Sequence, residues 1–322
     1  MSLALLTGAT GTVGAALLER MLREGRHVRC LVRDARQLPN HPNLEAVIGS
    51  IDDAAAVERA VSGCSTVFHL AGVPQQWTND PSIYTRANVD GTRVLLGAAQ
   101  RQGVARFLYA GTQDTLDLSR NPFDESTSNR DPHPSPYERS KIEAQRLVDA
   151  AAAQGLHTGS LHLVAVFGPA PARIGGVNKL LYGLLEGSVP MLPPGGVPLL
   201  YDRDAADAFV RAEANAAPGS HYLASTAWVS VDELARRIAR ITGGKVPASM
   251  PMAAARLFAT VGDLAARVTR RAPQLSRVDL RAFRNPGRPS TAKLRTELGW
   301  QPTDLDTALR ETIDAWRVRK RS

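Results

Sequence analysis

Short apolar segments alternate with longer segments whose apolar residues recur at helical spacing through the first half of the chain. Six short segments are rich in aliphatic and β-branched residues and are predicted to be strands: 3–6, 27–32, 45–48, 66–70, 106–110 and 157–166. Helices are predicted between them at 15–24, 54–62, 88–102 and 136–154. Strands that alternate with helices form a parallel sheet covered on both faces. The pattern therefore predicts an α/β fold with a doubly wound parallel sheet.

The pattern changes after Gly168 and Pro169. Residues 170–200 are mostly apolar and interrupted by Gly and Pro, which suits loops and short elements around a pocket. Further helices are predicted at 253–270, at 303–317, and from a capping box that begins at Ser230 to the glycines at 243–244. We expect two parts: a sheet domain at 1–168 and a smaller C-terminal α/β lobe at 169–322, some segments of which return to the sheet domain.

Composition and charge narrow the class of protein. The 322 residues are 43% hydrophobic, and no apolar run approaches the length of about 20 residues that spans a bilayer. Because the first strand begins almost at Met1, there is no room for a secretory signal, so we expect a soluble, cytoplasmic protein. The net charge of +8 is spread over many helices and only 5% of residues are aromatic, so no nucleic-acid partner is expected.

The two cysteines give no indication of metal or redox chemistry. Cys30 and Cys64 lie within or beside predicted strands and have neither CxxC nor metal-ligand spacing. We expect buried, inert thiols and no metal site.

A glycine-rich segment joins the first predicted strand to the first predicted helix. It contains Gly8, Thr10, Gly11, Thr12, Val13 and Gly14. Glycines allow a tight turn and close approach of a ligand, and the N–H groups that begin the helix face a pyrophosphate. The glycine spacing of three and three differs from the two-then-three spacing of the standard fingerprint. The segment nevertheless predicts a dinucleotide site.

Tyr137 and Lys141 are four residues apart on a predicted helix and therefore lie on one face of it. A nearby ammonium group favours the phenolate, so we expect Lys141 to lower the pKa of Tyr137. Such a tyrosine exchanges a proton with an alkoxide while a nicotinamide exchanges hydride. Thr112 follows the strand at 106–110, which places its hydroxyl at the ligand-binding edge of the sheet, where it can orient the substrate oxygen.

With these motifs the chain resembles the extended short-chain dehydrogenases/reductases, which include nucleotide-sugar epimerases, dehydratases, 3β-hydroxysteroid dehydrogenases and flavonol-type reductases. Further matches are the segments 67–72, 88–92, 166–169 and 298–302, and Asp204. The resemblance implies a Rossmann-type fold, a substrate-binding C-terminal lobe, and a catalytic triad of Thr112, Tyr137 and Lys141. It also implies that Lys141 holds the nicotinamide ribose, and that Ser50, Ile51, Leu70, Ala71 and Gly72 contribute to the cofactor site. A homodimer through helices 88–102 and 136–154 is implied as well, with a monomer as the alternative.

Arg33 bears on the choice of cofactor. NAD-preferring relatives carry an acid at this position, where it holds the ribose 2′-hydroxyl, whereas a guanidinium suits a 2′-phosphate. We therefore expect NADP(H), with Arg36 as a second contact. Asp34 leaves NAD open as the alternative.

The substrate class is indicated by Val197. Related nucleotide-sugar enzymes commonly carry an Arg here, seven residues before the position of Asp204, to bind the substrate pyrophosphate. The surrounding residues are apolar, which favours an uncharged, hydrophobic ketone or alcohol. In the alternative interpretation these residues only pack the lobe. His162 replaces a frequent Arg and is interpreted as a packed strand histidine.

The sequence thus predicts an NADP(H)-dependent oxidoreductase that reduces a hydrophobic ketone, or oxidises the corresponding alcohol, with Tyr137 as acid/base. One alternative is a nucleotide-sugar epimerase or dehydratase that retains NAD(P). Another is a non-catalytic NADP sensor of the same fold. Asn88 is expected to pin the local backbone, with a place in a proton relay as the alternative. The helix at 253–270 is expected to pack rather than to attach to a membrane.

Overall fold

The computed structural model describes residues 2–74, 78–131, 134–169, 177–269, 273, 275–277, 280, 283 and 287–321. The strands are β1 (Leu3–Thr7), β2 (His27–Val32), β3 (Leu44–Ile48), β4 (Cys64–His69), β5 (Arg106–Thr112), β6 (Thr158–Leu163), β7 (Ala165–Phe167), β8 (Met191–Leu192), β9 (Gly196–Tyr201), β10 (Ser220–Ala224), β11 (Ala227–Ser230) and β12 (Ala248–Ser249). The helices are α1 (Thr12–Arg23), α2 (Ala54–Val61), α3 (Ser82–Tyr84), α4 (Gly91–Arg101), α5 (Pro136–Ala153), α6 (Val177–Leu185), α7 (Asp202–Asn215), α8 (Val231–Thr242), α9 (Met252–Thr269), α10 (Ala292–Leu298) and α11 (Leu305–Arg321). A π-helical turn, Thr85–Asp90, joins α3 to α4.

Seven strands form one parallel sheet in the order β10-β6-β5-β4-β1-β2-β3. The α/β, Rossmann-type fold is confirmed. The strand order proceeds in one direction from β1 to β3 and in the other from β4 to β6, so it reverses between β1 and β4. Ligands of such sheets bind in the crevice at the carboxyl ends of the strands where this reversal occurs.

Both faces of the sheet are covered, which explains the continuous apolar runs of its strands. On one face, Leu17 and Met21 of α1 pack with Phe209 of α7 in the larger core cluster. On the other face, helices α2, α4 and α5 contribute side chains such as Leu95 and Val148. Each of these aliphatic side chains stabilises the fold by about 1.5–3 kcal/mol through its burial.

Two details of the sheet differ from the sequence prediction. The predicted strand at 157–166 is two strands that separate at Val164, because β6 belongs to the large sheet and β7 pairs with β9 in a smaller one. The edge strand β10 was not predicted. It is five residues long and starts with Ser220 and His221, so its apolar signal is short.

The smaller sheet, β11-β9-β7, forms the core of the C-terminal lobe with helices α6, α8 and α11. The predicted start of α8 is confirmed: Ser230 Oγ accepts a hydrogen bond from the Glu233 N–H at 3.1 Å. Strand β9 is buried along its whole length, and Val197 belongs to this core. The interpretation that these residues pack the lobe is therefore the one supported. Of the predicted pocket segment, residues 170–176 lie outside the described part of the chain.

Helix α9 differs from its prediction as a packed helix. Its buried face consists of small residues such as Ala255 and Ala259, whereas Leu257, Val261 and Leu264 are between 57% and 68% exposed. Arg270, the last residue of the predicted helix, lies outside the described residues. No helix within the described ranges has both the length and the hydropathy needed to cross a bilayer.

The prediction of buried thiols is confirmed for both cysteines. Burial raises the pKa of Cys30 to about 12, so the reactive thiolate is suppressed. Within the part of the chain that the structure describes, no cluster of His, Cys, Asp and Glu has the arrangement of a metal site.

Candidate active site

The glycine segment forms a tight turn between β1 and α1. Gly8 has a φ of +76°, and a Cβ there would lie 2.6 Å from the carbonyl carbon of Leu70. A Cβ on Gly14 would lie 2.0 Å from the carbonyl oxygen of Gly8, whereas one on Gly11 would meet only that oxygen, at 3.2 Å. Gly8 and Gly14 therefore allow the turn to pack on the end of β4, and Gly11 faces otherwise open space.

The N-terminus of α1 is open to a ligand. Gly11 is its N-cap and supplies no side-chain hydrogen bond, and the first turn contains no acidic residue. The N–H groups of that turn and the positive end of the helix dipole are therefore not neutralised by the chain itself. Thr10, Thr12 and Val13 surround this end and are each partly exposed. A phosphate group fits such a site.

A chain of buried hydrogen bonds holds the carboxyl ends of β1 and β4 in place. His69 lies between Thr7 Oγ1, 2.9 Å from its Nδ1, and Thr92 Oγ1, 2.9 Å from its Nε2. Thr7 Oγ1 also accepts from the Ala71 N–H at 3.2 Å. Burial, assisted by the charge of Lys141, lowers the pKa of His69 to about 3, so the ring is neutral. These hydrogen bonds hold the segment 70–72 beside the glycine turn.

Tyr137 is positioned by the cap of α5. Ser135 Oγ accepts from the Glu138 N–H at 3.2 Å, and the Glu138 carboxylate accepts from the Ser135 N–H, which completes a capping box with Pro136 as the first helical residue. The phenol is 7% exposed, and its ring packs edge-on against Tyr84 with centroids 5.9 Å apart. Its hydroxyl faces Thr112 at the end of β5, and the Thr112 side chain acts to lower the pKa of Tyr137.

The electrostatics of Tyr137 differ from the sequence expectation. Burial raises its pKa, and the charge of Asp114 raises it further, while the Thr112 side chain opposes them only in part. Thr112 Oγ1 in turn donates to Asp114 Oδ2 at 3.2 Å. In this state the phenol keeps its proton at neutral pH.

The Lys141 side chain contacts the phenol of Tyr109 rather than that of Tyr137. Its Nζ donates to Tyr109 Oη at 2.7 Å and to the Ala110 carbonyl at 2.8 Å. Burial lowers the pKa of Lys141 to about 7, although Asp114 opposes the shift. The expected lowering of the Tyr137 pKa by Lys141 is therefore not found in this conformation.

The buried ammonium predicts a pH dependence of stability. Between pH 7 and 10.5 the unfolded chain binds a proton at Lys141 that the native protein does not, so stability rises with pH across this window. The slope is at most about 1.4 kcal/mol per pH unit. In Lys141→Met this contribution is absent. Urea unfolding at pH 7, 8 and 9 measures it, with Lys245→Met, which removes an exposed ammonium, as control. Equal slopes for wild type and Lys141→Met would contradict the assignment.

Asn88 holds backbone, as expected. Its Oδ1 accepts from the Val73 N–H at 2.7 Å and its Nδ2 donates to Ser140 Oγ at 2.9 Å. Ser140 Oγ donates to the Tyr137 carbonyl at 2.7 Å. Asn88 lies in the π-helical turn, a geometry that is frequent at functional sites. It ties the loop after β4 to the first turn of α5.

The end of β2 carries two arginines in different states. Arg36 is engaged with Asp34, whose Oδ2 accepts from Nη2 at 2.9 Å, and these hydrogen bonds lower the Asp34 pKa. Arg33 is exposed, and among the described residues it has no hydrogen bond or ion pair. Asp34, the acidic residue that left NAD open as the cofactor, is thus already paired with Arg36. Ile51 packs over Gly91, where a Cβ would lie 2.7 Å from Cγ2, and Ser50 begins the same turn.

Sequence reasoning missed Tyr109, Tyr84 and Asp114. The pattern Phe107, Tyr109 reads as an alternating apolar strand face, so a buried hydroxyl partner for Lys141 was hidden in it. Asp114 had a signal, since it lies two residues after Thr112 in a position suited to a turn.

The comparisons with known proteins agree with this geometry. Residues 4–224 match the model of the NAD dependent epimerase/dehydratase family. A 3 beta-hydroxysteroid dehydrogenase/Delta 5-->4-isomerase of Mycobacterium tuberculosis is 30% identical over 318 residues, covering 92% of this chain and 85% of that protein. Sterol demethylase protein B of Methylococcus capsulatus is 25% identical over 324 residues, 98% of each chain.

A solved structure of MoeE5 in complex with UDP-glucuronic acid and NAD superposes with a TM-score of 0.79 at 25% identity, covering 98% of this chain and 99% of that one. The family match covers more than half of the chain. The protein therefore belongs to the NAD dependent epimerase/dehydratase family and is an NAD(P)-dependent enzyme of the extended short-chain dehydrogenase/reductase type.

Proposed function

We propose that the protein is an NADP(H)-dependent reductase of an uncharged, hydrophobic ketone, running in reverse as an alcohol dehydrogenase. The observation that carries the proposal is the buried Tyr137 at the start of α5, whose hydroxyl faces Thr112 at the end of β5. A phenol in this state can give a proton to an oxygen on which negative charge develops. The proposal assigns Tyr137 as the acid, and Thr112 as the group that orients the carbonyl oxygen.

The cofactor cradle is assigned to the glycine turn and the loops beside it. Gly11 and the open first turn of α1 are proposed to bind the pyrophosphate, with Thr10, Thr12 and Val13 around it. The segments 50–51 and 70–72 are proposed to line the two nucleoside halves. When bound, the nicotinamide supplies the hydride. The N-terminal part, 1–168, is proposed as the cofactor-binding domain and 169–322 mainly as the substrate lobe.

Lys141 has a proposed role at the nicotinamide ribose. Its Nζ uses two of its three hydrogens on Tyr109 and Ala110, which leaves one for a ligand hydroxyl. An ammonium held there favours the charged form of a neighbouring phenol, so the cofactor-bound state is expected to lower the Tyr137 pKa. The alcohol-oxidation direction, which needs the phenolate, is then favoured by higher pH.

The substrate class is supported by the residue at position 197 and by relatives of the chain. Val197 is buried in the lobe core, so this position offers no charge to a substrate pyrophosphate. Two relatives of the chain are named for sterol and steroid chemistry. Both observations favour an apolar ketone over a nucleotide-sugar.

The MoeE5 complex with UDP-glucuronic acid and NAD supports the second candidate, a nucleotide-sugar enzyme that retains its cofactor. Denaturing the purified protein and identifying the released nucleotide separates the two. The reductase is expected to release little nucleotide and to oxidise added NADPH with a ketone such as 4-phenyl-2-butanone. Stoichiometric bound NAD(H), with conversion of UDP-glucose and no absorbance change, would overturn the proposal in favour of the second candidate.

Arg33 is expected to select NADP(H). The unpaired guanidinium can make charge-assisted hydrogen bonds to a 2′-phosphate, so Arg33→Ala should weaken NADPH binding by about 10- to 100-fold. NADH lacks this phosphate, and its Kd should change less than about threefold, which makes it the internal control. Fluorescence titration of each nucleotide gives both constants. An equal loss for NADH and NADPH would contradict the role.

A further inference from the structure

Two histidines that have no part in the proposed reaction lie directly behind Thr112. His162, on β6, is buried, whereas the side chain of His221, on the edge strand β10, is 28% exposed. His162 places Nδ1 3.3 Å from the Thr112 carbonyl oxygen and 2.9 Å from Thr115 Oγ1. Its Nε2 is 3.0 Å from Nδ1 of His221, and the planes of the two rings are nearly parallel, with an interplanar angle of 18°.

The chain of contacts continues to the surface. His221 Nε2 lies 3.2 Å from Oδ1 of Asp149 on α5, a carboxylate that is 47% exposed. Gln145 Nε2 donates to Asp149 at 2.8 Å. Burial raises the pKa of Asp149, but the hydrogen bonds from His221 and Gln145 outweigh burial, and the net shift is downward. Asp149 is therefore an acceptor.

The positions of the hydrogens follow from the acceptors at each end. The Thr112 carbonyl can only accept, and Thr115 Oγ1 lies 2.8 Å from it and 2.9 Å from His162 Nδ1. With the Thr115 hydroxyl donating to the carbonyl, His162 Nδ1 carries a hydrogen and donates to the same group of oxygens. Burial, and then the charge of His221, lowers the pKa of His162 to about 3, so the ring is neutral and its Nε2 is unprotonated. His221 Nδ1 must therefore donate to His162.

His221 thus faces an acceptor at each nitrogen, His162 Nε2 on one side and Asp149 on the other. The other charged group beside His162 is Lys141, whose charge also disfavours a cationic His162. Gln145 and Ser160, hydrogen-bonded to each other at 2.8 Å, are the neutral polar groups that complete the surroundings.

We propose that His162 and His221 are positioning residues that, anchored by Asp149, fix the backbone carbonyl of Thr112 and so the direction of its hydroxyl. The meaning of this position for catalysis rests on the proposed function.

The first test is the protonation pattern itself, and it needs no substrate. In the full-length protein labelled with ¹⁵N-histidine, the side-chain ¹⁵N shifts report the state of each of the seven histidines. At pH 7 we expect His162 to be protonated at Nδ1 only and His221 to carry a hydrogen on Nδ1. Spectra of His162→Gln and His221→Asn supply the assignments. A hydrogen on His162 Nε2 at pH 7 would overturn the proposal.

The second test compares variants by amide hydrogen exchange in the segment 112–116. His221→Leu removes the donor to His162 and is expected to speed exchange about 10-fold or more. His221→Asn keeps an N–H near the position of Nδ1 and should restore slow exchange. His157→Asn, at the other end of β6, is the control and should leave the segment unchanged. Unchanged exchange in His221→Leu would overturn the proposal even if no ketone is ever reduced.

Kinetics then separate positioning from folding. With 4-phenyl-2-butanone and NADPH, His221→Leu should lose about 10-fold or more in kcat with less than threefold change in the Kd of NADPH. His221→Asn should retain kcat. Normal kcat in His221→Leu, with wild-type turnover present, would refute the positioning role and leave the proposed function standing. If the wild type shows no turnover, the proposed function is refuted. The amide hydrogen-exchange experiment would still test whether the two histidines position Thr112.

Discussion

Replacing Tyr137 by phenylalanine is expected to lower kcat by about 10³-fold. The change removes only the hydroxyl, so the ring still packs on Tyr84 and the cap of α5 stays intact. The variant loses the acid that would protonate the developing alkoxide, because Thr112 and buried Lys141 are not arranged to replace it. NADPH titration and steady-state kinetics with 4-phenyl-2-butanone measure the effect.

The matched control is Tyr182→Phe, which removes a hydroxyl from a tyrosine packed on Trp316 in the C-terminal lobe. It should leave kcat within about twofold of the wild type. For Tyr137→Phe the Kd of NADPH should change little, since the phenol is not part of the pyrophosphate cradle. A Tyr137→Phe variant with wild-type kcat would show that another group supplies the proton.

Alanine at Gly14 is expected to destabilise the protein by about 1–3 kcal/mol or more and to abolish cofactor binding. Its Cβ would lie 2.0 Å from the Gly8 carbonyl oxygen, a backbone atom that cannot move without opening the turn. The glycine turn also packs on Leu70, so the disturbance extends to the end of β4. Urea unfolding and NADPH titration give the two quantities.

Gly11→Ala is the informative comparison for Gly14→Ala. Its φ of −82° is ordinary for alanine, and its Cβ would meet only the Gly8 oxygen, at 3.2 Å. We expect a loss of stability below about 1 kcal/mol, with NADPH binding weakened at least 10-fold, because the methyl group would occupy the approach of the pyrophosphate. Stable Gly14→Ala protein with normal NADPH affinity would contradict the packing of the turn.

The sequence predicted the features that depend on local pattern. Alternating strands and helices were sufficient for the parallel sheet, and the positions of the glycines located the turn at its switch point. Thr112 follows a strand and Tyr137 lies at the start of a helix, so their hydroxyls were expected at the same edge of the sheet. The structure places them near each other there. The cap at Ser230 was equally local.

What the sequence missed depends on burial and on competing partners. The rule that pairs Lys141 with Tyr137 considers one charge at helical spacing, whereas the fold supplies a second phenol, Tyr109, on the neighbouring strand. Burial then dominates both pKa values and reverses the expected shift of Tyr137. The separation of β6 from β7 at Val164 also has no Gly or Pro to mark it. His221 lies on the edge strand β10, whose polar first residues hid it from the strand prediction. Its contact with His162 was therefore not predicted.

The ratio of NADPH oxidised to alcohol formed, measured with purified protein and 4-phenyl-2-butanone, separates net reduction from an internal hydride cycle. A ratio of one, with NADH used much less efficiently and the activity lost in Tyr137→Phe, is the predicted result. Conversion of UDP-glucose without any consumption of added NADPH would contradict the assignment as a reductase and identify an enzyme that returns its hydride within each turnover.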